Sequence, residues 1–270
     1  MAPRIERMPT ATRPVARKPK SPPKSQPKVR LGRPPKDAAA SSGEALGRER
    51  ILQTALALID RQGLAAFNIR ELAVALRVAP AAIYWHVPNR GMLVSGVIAL
   101  ALDGVAHGLP DGNWQLRLRA LLQRFREALR RHPQLAPIVA SELAYNAAFD
   151  APLLEHVVAA LEDAGFEEAA LVDAFNVVIA AMCGFATLEL STAPAGDAKA
   201  WEAACRAQID GVDAEQHPRL GRHLAALRNR AFLLRWSSGK EKPLQSGFDA
   251  WIDVVLRGLE ARSRALRKVR

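Results

Sequence analysis

The sequence predicts an all-α fold preceded by a basic segment with few apolar residues. From about Leu46 onward, apolar residues recur at intervals of three and four, which is the spacing of an amphipathic helix. The sequence contains no alternating β-branched runs bounded by hairpin turns. Short breaks rich in Gly, Pro, Asn and Asp separate the apolar stretches. We therefore expect a bundle of helices joined by turns.

The positive charge of the chain is concentrated near its N-terminus. The 270 residues have a formal net charge of +11, with 38 Lys and Arg against 27 Asp and Glu. Residues 1–36 contain eleven basic residues, a single acidic residue and nine of the 18 prolines. Such a segment buries too little apolar surface to offset the entropy lost on ordering. Residues 1–43 are therefore predicted to form a disordered tail, and the rest of the chain is nearly neutral.

Several classes of protein fit the sequence poorly. The best candidate for a membrane span, residues 177–186, is too short to cross a bilayer, and no apolar signal segment follows the N-terminus. The two cysteines, Cys183 and Cys205, lack the spacing of a metal site. A Gly-rich phosphate loop and a Ser or Cys paired with His are also not evident. We predict a cytoplasmic protein that does not bind a membrane, is not an enzyme, and requires neither a cofactor nor a metal.

Three short helices are predicted at the start of the folded part, over residues 47–62, 69–76 and 80–86. Asn68 is a favourable N-cap for the second helix, and Pro80 is a favourable first residue for the third. A tight turn joins these two helices, which is the arrangement of a helix-turn-helix. Ile83 is expected to face inward on the third helix, so its opposite face is free to enter a DNA major groove.

At these residues the chain resembles the tetracycline-repressor (TetR) family of transcriptional regulators. The resemblance lies in residues 63–73 and 78–90, and the Tyr-Trp-His-Val string at 84–87 is most similar to the tetracycline repressors. The family resemblance implies a small helix-turn-helix DNA-binding domain, over 44–105. It also implies a larger helical-bundle domain for ligand binding and dimerisation, over 106–270.

The resemblance implies that one set of residues contacts DNA: Asn68, Arg70, Pro80, Ala81, Ala82, Tyr84, Trp85, His86 and Arg90. Two features depart from the family pattern. Arg77 stands in the turn where the family usually has Gly, so a left-handed backbone there would be slightly strained. Pro80, Ala81 and Ala82 replace polar residues that often read bases, so we expect methyl contacts and DNA shape to matter more.

Some of these residues also have structural interpretations. Tyr84 and Trp85 could be core aromatics, although adjacent helical residues cannot both face inward. Arg70 could be an ordinary surface charge, and His86 a structural histidine.

The tail contains a second resemblance. Residues 30–36, Arg-Leu-Gly-Arg-Pro-Pro-Lys, are similar to the core of an AT-hook, although Leu31 stands where a basic residue is expected. We expect Arg33 to enter the minor groove beside the operator, while the other basic residues attract DNA nonspecifically. The alternative is a solubilising, unstructured leader.

The family resemblance also implies a dimer interface and a ligand pocket in the C-terminal domain. The expected dimer residues are Phe175, Ile179, Met182, Trp251, Ile252, Val255 and Leu259. The expected pocket residues are Leu121, Phe125, Val139, Met182 and Glu189. Ala106, Leu121 and Val139 stand where the tetracycline repressors hold the drug–magnesium complex, so a largely apolar effector other than tetracycline is expected. The alternative is a closed core without a ligand.

The sequence therefore predicts a homodimeric, ligand-responsive regulator that binds double-stranded DNA. Its expected mode of action is repression, with a small effector releasing it from a palindromic operator. The alternative is a nonspecific architectural DNA-binding protein that depends on its cationic tail. Removing the tail discriminates between them, because it should abolish DNA binding in the second case and only weaken it in the first.

Overall fold

The computed structural model describes residues 46–144, 150–191, 196–236 and 244–269. These residues form eleven α-helices and one 3-10 turn, Pro133–Leu135, and no described residue lies in a β-strand, which confirms the predicted all-α fold. The helices are α1 (Arg48–Gln62), α2 (Ile69–Leu76), α3 (Pro80–His86), α4 (Arg90–Ala101), α5 (Trp114–Arg131), α6 (Ala136–Ala144), α7 (Ala151–Ala164), α8 (Glu168–Glu189), α9 (Ala198–Asp210), α10 (Pro218–Leu227) and α11 (Gln245–Val269). The predicted tail, including Arg33, lies outside the described residues.

Polar side chains at the N-caps fix where several helices begin. The Asn68 side chain accepts a hydrogen bond from the Glu71 N–H at 2.9 Å, as the sequence predicts for the start of α2. Asn89 caps α4 in the same way, and Asn113 caps α5. Each bond satisfies one of the N–H groups that have no partner inside the helix, and such a cap contributes about 1 kcal/mol.

Helices α1 to α4 pack around a small apolar core. The inward face of α1 contributes Ile51, Ala55 and Ile59, all fully buried. Helices α1 and α4 approach each other closely, because a Cβ added to Gly96 would lie 2.8 Å from a methyl of Leu52. Glycine at this position lets the two helices cross closely. The head, which consists of α1, α2 and α3, therefore forms one packed unit with α4.

Helix α8 is the centre of the C-terminal bundle. It packs against α5, α6, α7 and α11, and buries Ala174, Val178, Met182 and Phe185. Among the described residues, α8 is the one helix long and apolar enough, by length and composition, to span a bilayer. The prediction that every apolar segment is too short to cross a bilayer is therefore wrong for α8. This helix packs against four other helices, and 39% of its apolar stretch is buried within the chain.

Two helices end earlier than their apolar patterns predict. The apolar pattern that follows Asn89 predicts a helix to about residue 107, but α4 ends at Ala101. The following turns are held by the Arg124 guanidinium, which donates to the carbonyls of His107 and Gly108. The apolar pattern that begins at Pro218 predicts a helix to about residue 236, but α10 ends at Leu227.

Left-handed backbone explains the end of α10. Asn229 and Leu233 have φ values of 53° and 67°, which a continuing helix cannot accommodate. The chain then folds back so that the ring of Trp236 lies beside the guanidinium groups of Arg206 and Arg228, at 5.0 and 5.5 Å. This segment is therefore anchored on α9 by cation–π contacts.

The N-terminal helices contact the C-terminal bundle through polar groups. His132 Nδ1, at the end of α5, lies 2.8 Å from Asp60 Oδ2 on α1. The Ser95 hydroxyl on α4 donates to Glu142 Oε2 on α6 at 3.0 Å. Residues 45–270 accordingly form one compact unit, in which both α1 and α4 are linked to the bundle.

Arg77→Gly is expected to raise the free energy of unfolding by about 1 kcal/mol. Arg77 has φ 57° and ψ 43°, which is a left-handed conformation that costs an L-residue more than it costs glycine. Thermal unfolding of the two proteins measures the difference. Arg77→Ala is the matched control, because it removes the same exposed side chain and keeps the strained backbone. Equal melting temperatures for the Gly and Ala variants would contradict the strain.

Candidate nucleic-acid interface

The turn between α2 and α3 has the hydrogen bonds of a Schellman motif. The Val78 N–H donates to the Ala73 carbonyl at 3.0 Å, and the Arg77 N–H donates to the Val74 carbonyl at 3.1 Å. The left-handed backbone of Arg77 makes both bonds possible. Val78 packs against the core beneath the turn. These contacts fix the angle at which α3 leaves α2.

Helix α3 has one buried side and a broad exposed side. Ile83 is fully buried, and Val87 follows it into the core. On the exposed side, Trp85 has 89% of its surface accessible and Tyr84 has 45%. Burial is the usual fate of such large aromatic side chains. Tyr84 and Trp85 are therefore surface residues, and the alternative in which they belong to the core does not hold.

A surface concavity of about 520 Å³ lies between the start of α2 and α3. It is lined by the side of α2 that carries Arg70 and by the side of α3 that carries Tyr84. The remaining lining residues are Asn68, Ile69 and Pro80. Two helices and the N-cap of α2 thus form one open surface, and Arg70 and Tyr84 offer polar side-chain groups on it. Arg70 gives this surface its positive charge.

The other residues predicted to contact DNA differ in their exposure to solvent. Ala81 and His86 are exposed on α3, while Ala82 is half-buried. Arg90 is exposed at the start of α4, but its guanidinium donates to the Leu64 carbonyl at 3.2 Å. Arg90 therefore also has a structural role, because it ties α4 to the segment that leads into α2.

Four of the five residues predicted to line a ligand pocket are apolar and lie in the core of the C-terminal bundle. They are Leu121, Phe125, Val139 and Met182. Helices α5 and α6, which carry the first three, both pack on α8, which carries Met182. The structure thus brings these side chains into one apolar region.

Glu189, the fifth predicted pocket residue, is held by an arginine. Arg126 donates from Nε to Glu189 Oε2 at 2.6 Å and from its second terminal nitrogen to Oε1 at 2.7 Å. The Leu244 N–H donates to the same Oε1 at 2.7 Å. Burial alone would raise the pKa of Glu189. The hydrogen bonds from Arg126 and Leu244, with the charges of Arg126 and Arg130, nevertheless hold that pKa below its usual range.

The sequence prediction missed Arg126. The residue is only 5% exposed, and its guanidinium also lies over the ring of Phe248 at 4.3 Å and donates to Gln245. Arg126 follows Leu122 by four positions and Phe125 by one, so the helical spacing of α5 already places it on the buried face. A charged residue on an apolar face was the signal that could have found it.

The residues predicted to form the dimer interface divide into two groups. Met182, Ile252, Val255 and Leu259 are buried inside a single chain, where they contribute to its own core. Phe175 and Ile179 are half-buried, and Trp251 is exposed. Further exposed apolar residues lie on the same two helices: Val172, Val177 and Leu188 on α8, and Val254 on α11. Helices α8 and α11 pack together, and each also exposes apolar side chains on its outer side.

Neither a reactive thiol at Cys183 nor a metal-binding cluster is found in the part of the chain that the structure describes. Burial raises the pKa of the Cys183 thiol to about 11, so this cysteine stays protonated at neutral pH. Within the described ranges, no group of three His, Cys, Asp or Glu side chains is placed to hold a metal ion.

The fold and the exposed α3 surface define a helix-turn-helix protein with a helical C-terminal bundle. Residues 51–95 match the model of bacterial regulatory proteins of the tetR family, and residues 108–239 match that of the tetracyclin repressor-like C-terminal domain. Together the two matches span about two thirds of the chain. The chain belongs to the TetR family.

Curated relatives match part of the chain. The transcriptional repressor DrrR1 of Streptomyces coeruleorubidus is 27% identical over 149 residues, which are 53% of this chain and 53% of that protein. The class D tetracycline repressor of Escherichia coli is 34% identical over 93 residues, which are 32% of this chain and 41% of that protein. The chain thus spans about half, or less, of the length of these relatives.

Solved structures match more of the chain. A possible TetR family transcriptional regulator from Streptomyces coelicolor A3(2) is 26% identical, with 79% of this chain and 98% of that chain covered and a TM-score of 0.61. The structure of BioQ with its natural double-stranded DNA operator is 25% identical, with 62% of this chain and 97% of that chain covered and a TM-score of 0.51.

Proposed function

We propose that this protein is a cytoplasmic transcriptional regulator that binds double-stranded DNA through its helix-turn-helix, with residues 44–105 as the DNA-binding domain. The observation that carries the proposal is the exposed side of α3, where Tyr84 and Trp85 stand in solvent while Ile83 anchors the helix. The concavity that Tyr84 shares with Arg70 adds a cation beside it. The relative BioQ has been crystallised with a DNA operator, which supports the same role here.

Binding to a palindromic operator requires two copies of the head. One helix-turn-helix reads a half-site, and two half-sites are about 34–36 Å apart along the duplex. We propose that residues 106–270 supply the dimer contact through the outer sides of α8 and α11. Trp251 and Val254 on α11 and Val177 and Leu188 on α8 offer the exposed apolar surface for a symmetric contact. Repression is the proposed mode of action, since the relatives DrrR1 and the tetracycline repressors carry that description.

Val254→Asp is expected to convert the dimer into monomers. The Val254 side chain is 66% exposed in one chain, so the substitution leaves the fold intact. In a symmetric dimer it places two carboxylates in an apolar contact, which is strongly unfavourable. Sedimentation or light scattering at micromolar concentration measures the mass. Leu233→Asp is the control, because Leu233 is an exposed apolar residue that does not belong to α8 or α11. A Val254→Asp protein that stays dimeric would contradict this interface.

We further propose that a small, largely apolar effector controls DNA binding from the C-terminal bundle. Support comes from the apolar region formed by Leu121, Phe125, Val139 and Met182. The links from Asp60 to His132 and from Ser95 to Glu142 supply a physical route from the bundle to α1 and α4. An effector acts through these links only by its different affinity for the bound and released arrangements.

Selection of duplexes from a random library, followed by competition, tests the proposed function. The full chain is expected to enrich a palindromic sequence and to bind it at least about 1,000-fold more tightly than a scrambled duplex of equal composition. Fluorescence anisotropy at fixed salt gives both affinities. Equal affinity for the two duplexes would contradict a sequence-specific regulator and would favour the architectural alternative.

Deletion of residues 1–36 separates the role of the tail from that of the head. The deleted segment carries eleven basic residues, Arg33 among them. We expect weaker binding and a smaller slope of log affinity against log salt, because fewer phosphate counterions are released. Preference for the selected duplex should remain. An unchanged salt slope would show that the tail does not contact DNA, and complete loss of binding would favour the architectural alternative.

A further inference from the structure

We propose that α3 selects its operator through the methyl groups of thymine rather than through hydrogen bonds to base edges. The inference rests on the proposed DNA-binding function and specifies the chemistry that the head recognises. It predicts thymines at the base pairs that face the first turn of α3 in each half-site.

The leading end of α3 has no polar side-chain atom. Residues 78–82 read Val-Ala-Pro-Ala-Ala, and Ala79, Pro80 and Ala81 are exposed. The N-terminal part of a recognition helix is the part that contacts base edges. Pro80 also lacks a backbone N–H, which removes a further donor from this end. The side chains of residues 79–82 therefore offer only methyl and methylene groups where the bases would be read.

The polar residues of the head lie around this apolar end and not within it. Tyr84 and His86 are further along α3, and Arg70 is on α2. The Asn68 side chain caps α2 through the Glu71 N–H, and the Arg90 guanidinium binds the Leu64 carbonyl. These positions suit contacts with phosphates on either side of the groove, which orient the protein without reading sequence.

Thymine is the base that matches such a surface. Its C5-methyl group is the apolar feature of the major groove, whereas the other edges present donors and acceptors. A donor or acceptor placed against Ala81 would lose water without gaining a partner, and this penalty excludes other bases. Burial of one methyl group corresponds to about a fourfold gain in affinity. The methyl contact thus favours thymine, and the loss of water disfavours any base that presents a polar edge at this position.

Replacing thymine by deoxyuridine tests the inference on the unmodified full chain. The probe is the duplex selected from the random library, with each thymine changed in turn to uracil, which removes the methyl and keeps every hydrogen-bonding group. We expect one or two positions in each half-site to lose about fourfold in affinity per methyl, and the remaining positions to be unchanged. At a sensitive position, cytosine should bind worse than thymine, and 5-methylcytosine should recover part of the loss.

Substitution of Ala81 tests whether α3 makes the methyl contact. In Ala81→Gly, the penalty for uracil at the position facing Ala81 should disappear, because the protein methyl is already gone. Ala57→Gly, an exposed alanine on α1, is the matched control and should keep the full uracil penalty. Thermal unfolding verifies that both variants fold at the assay temperature.

The outcomes separate the inference from the proposed function. If every uracil substitution changes the affinity by less than about 1.5-fold while the selected duplex still outcompetes a scrambled one, methyl readout is wrong and the regulator stands. If no duplex is preferred at all, the proposed function itself fails.

Discussion

Glu189→Leu is expected to lower the free energy of unfolding by about 3–5 kcal/mol, because it leaves the buried Arg126 guanidinium without its carboxylate. Arg126 is 5% exposed and Glu189 is 1% exposed, so water cannot replace the lost partner. The Leu244 N–H also loses its acceptor, which loosens the connection between α8 and the start of α11. Urea or thermal unfolding followed by circular dichroism measures the change.

Two further variants identify the cause of that loss. The double variant Arg126→Met with Glu189→Leu should recover most of the stability, because no uncompensated charge remains. Glu202→Leu removes the carboxylate from an exposed ion pair with Arg206 on α9 and should change the stability by less than about 0.5 kcal/mol. A Glu189→Leu protein no less stable than the Glu202→Leu protein would contradict the role given to the buried pair.

The same pair makes the fold sensitive to acid. The folded-state pKa of Glu189 lies below its ordinary value of 4.5, so the unfolded chain binds this proton more readily. The stabilisation is therefore complete above the ordinary pKa and is lost as the pH falls through the lower, folded-state pKa. Stability should fall below about pH 4.5, and it should fall less steeply in the double variant that lacks both charges.

The joint substitution Arg70→Ala and Trp85→Ala is expected to lower the affinity for the selected duplex by about 100-fold or more. Both side chains are exposed, Arg70 on α2 and Trp85 on α3, so their removal costs the fold little. Each contact occurs twice in a dimer, which doubles the loss of binding free energy. Fluorescence anisotropy at fixed salt measures the affinity, and thermal unfolding verifies the fold.

A double variant elsewhere on the surface provides the control for that loss. Arg222→Ala with Leu233→Ala removes one exposed arginine and one exposed apolar side chain from the region of α10. It changes the net charge by the same amount, so a general electrostatic effect would appear in both proteins. If the two double variants bind DNA equally well, the exposed side of α3 is not the DNA-binding surface.

Local chemistry explains which parts of this fold the sequence could predict. Asn68 and Asn89 determine the starts of α2 and α4 through bonds to N–H groups only three residues away. The turn at Arg77 likewise depends on neighbouring backbone groups. Such contacts are encoded within a few residues, and the helix-turn-helix and its exposed surface follow from them.

Long-range contacts explain what the sequence could not predict. Helix α4 ends at Ala101, and Arg124, on another helix, binds the carbonyls of His107 and Gly108 in the segment that follows. Arg126 pairs with Glu189 across 63 positions of sequence. Apolar periodicity also cannot separate a core face from an interface: Val255 on α11 is buried within one chain, while its neighbour Val254 is exposed.

Hydroxyl-radical footprinting of the full chain on the selected duplex tests the central claim most directly. If two copies each insert α3 into the major groove, two protected regions should appear with centres about 10–10.5 base pairs apart, or a multiple of that, on one side of the duplex. The Arg70→Ala, Trp85→Ala protein should lose both regions together. A continuous or single protected region, unchanged by that substitution, would contradict a paired helix-turn-helix reader.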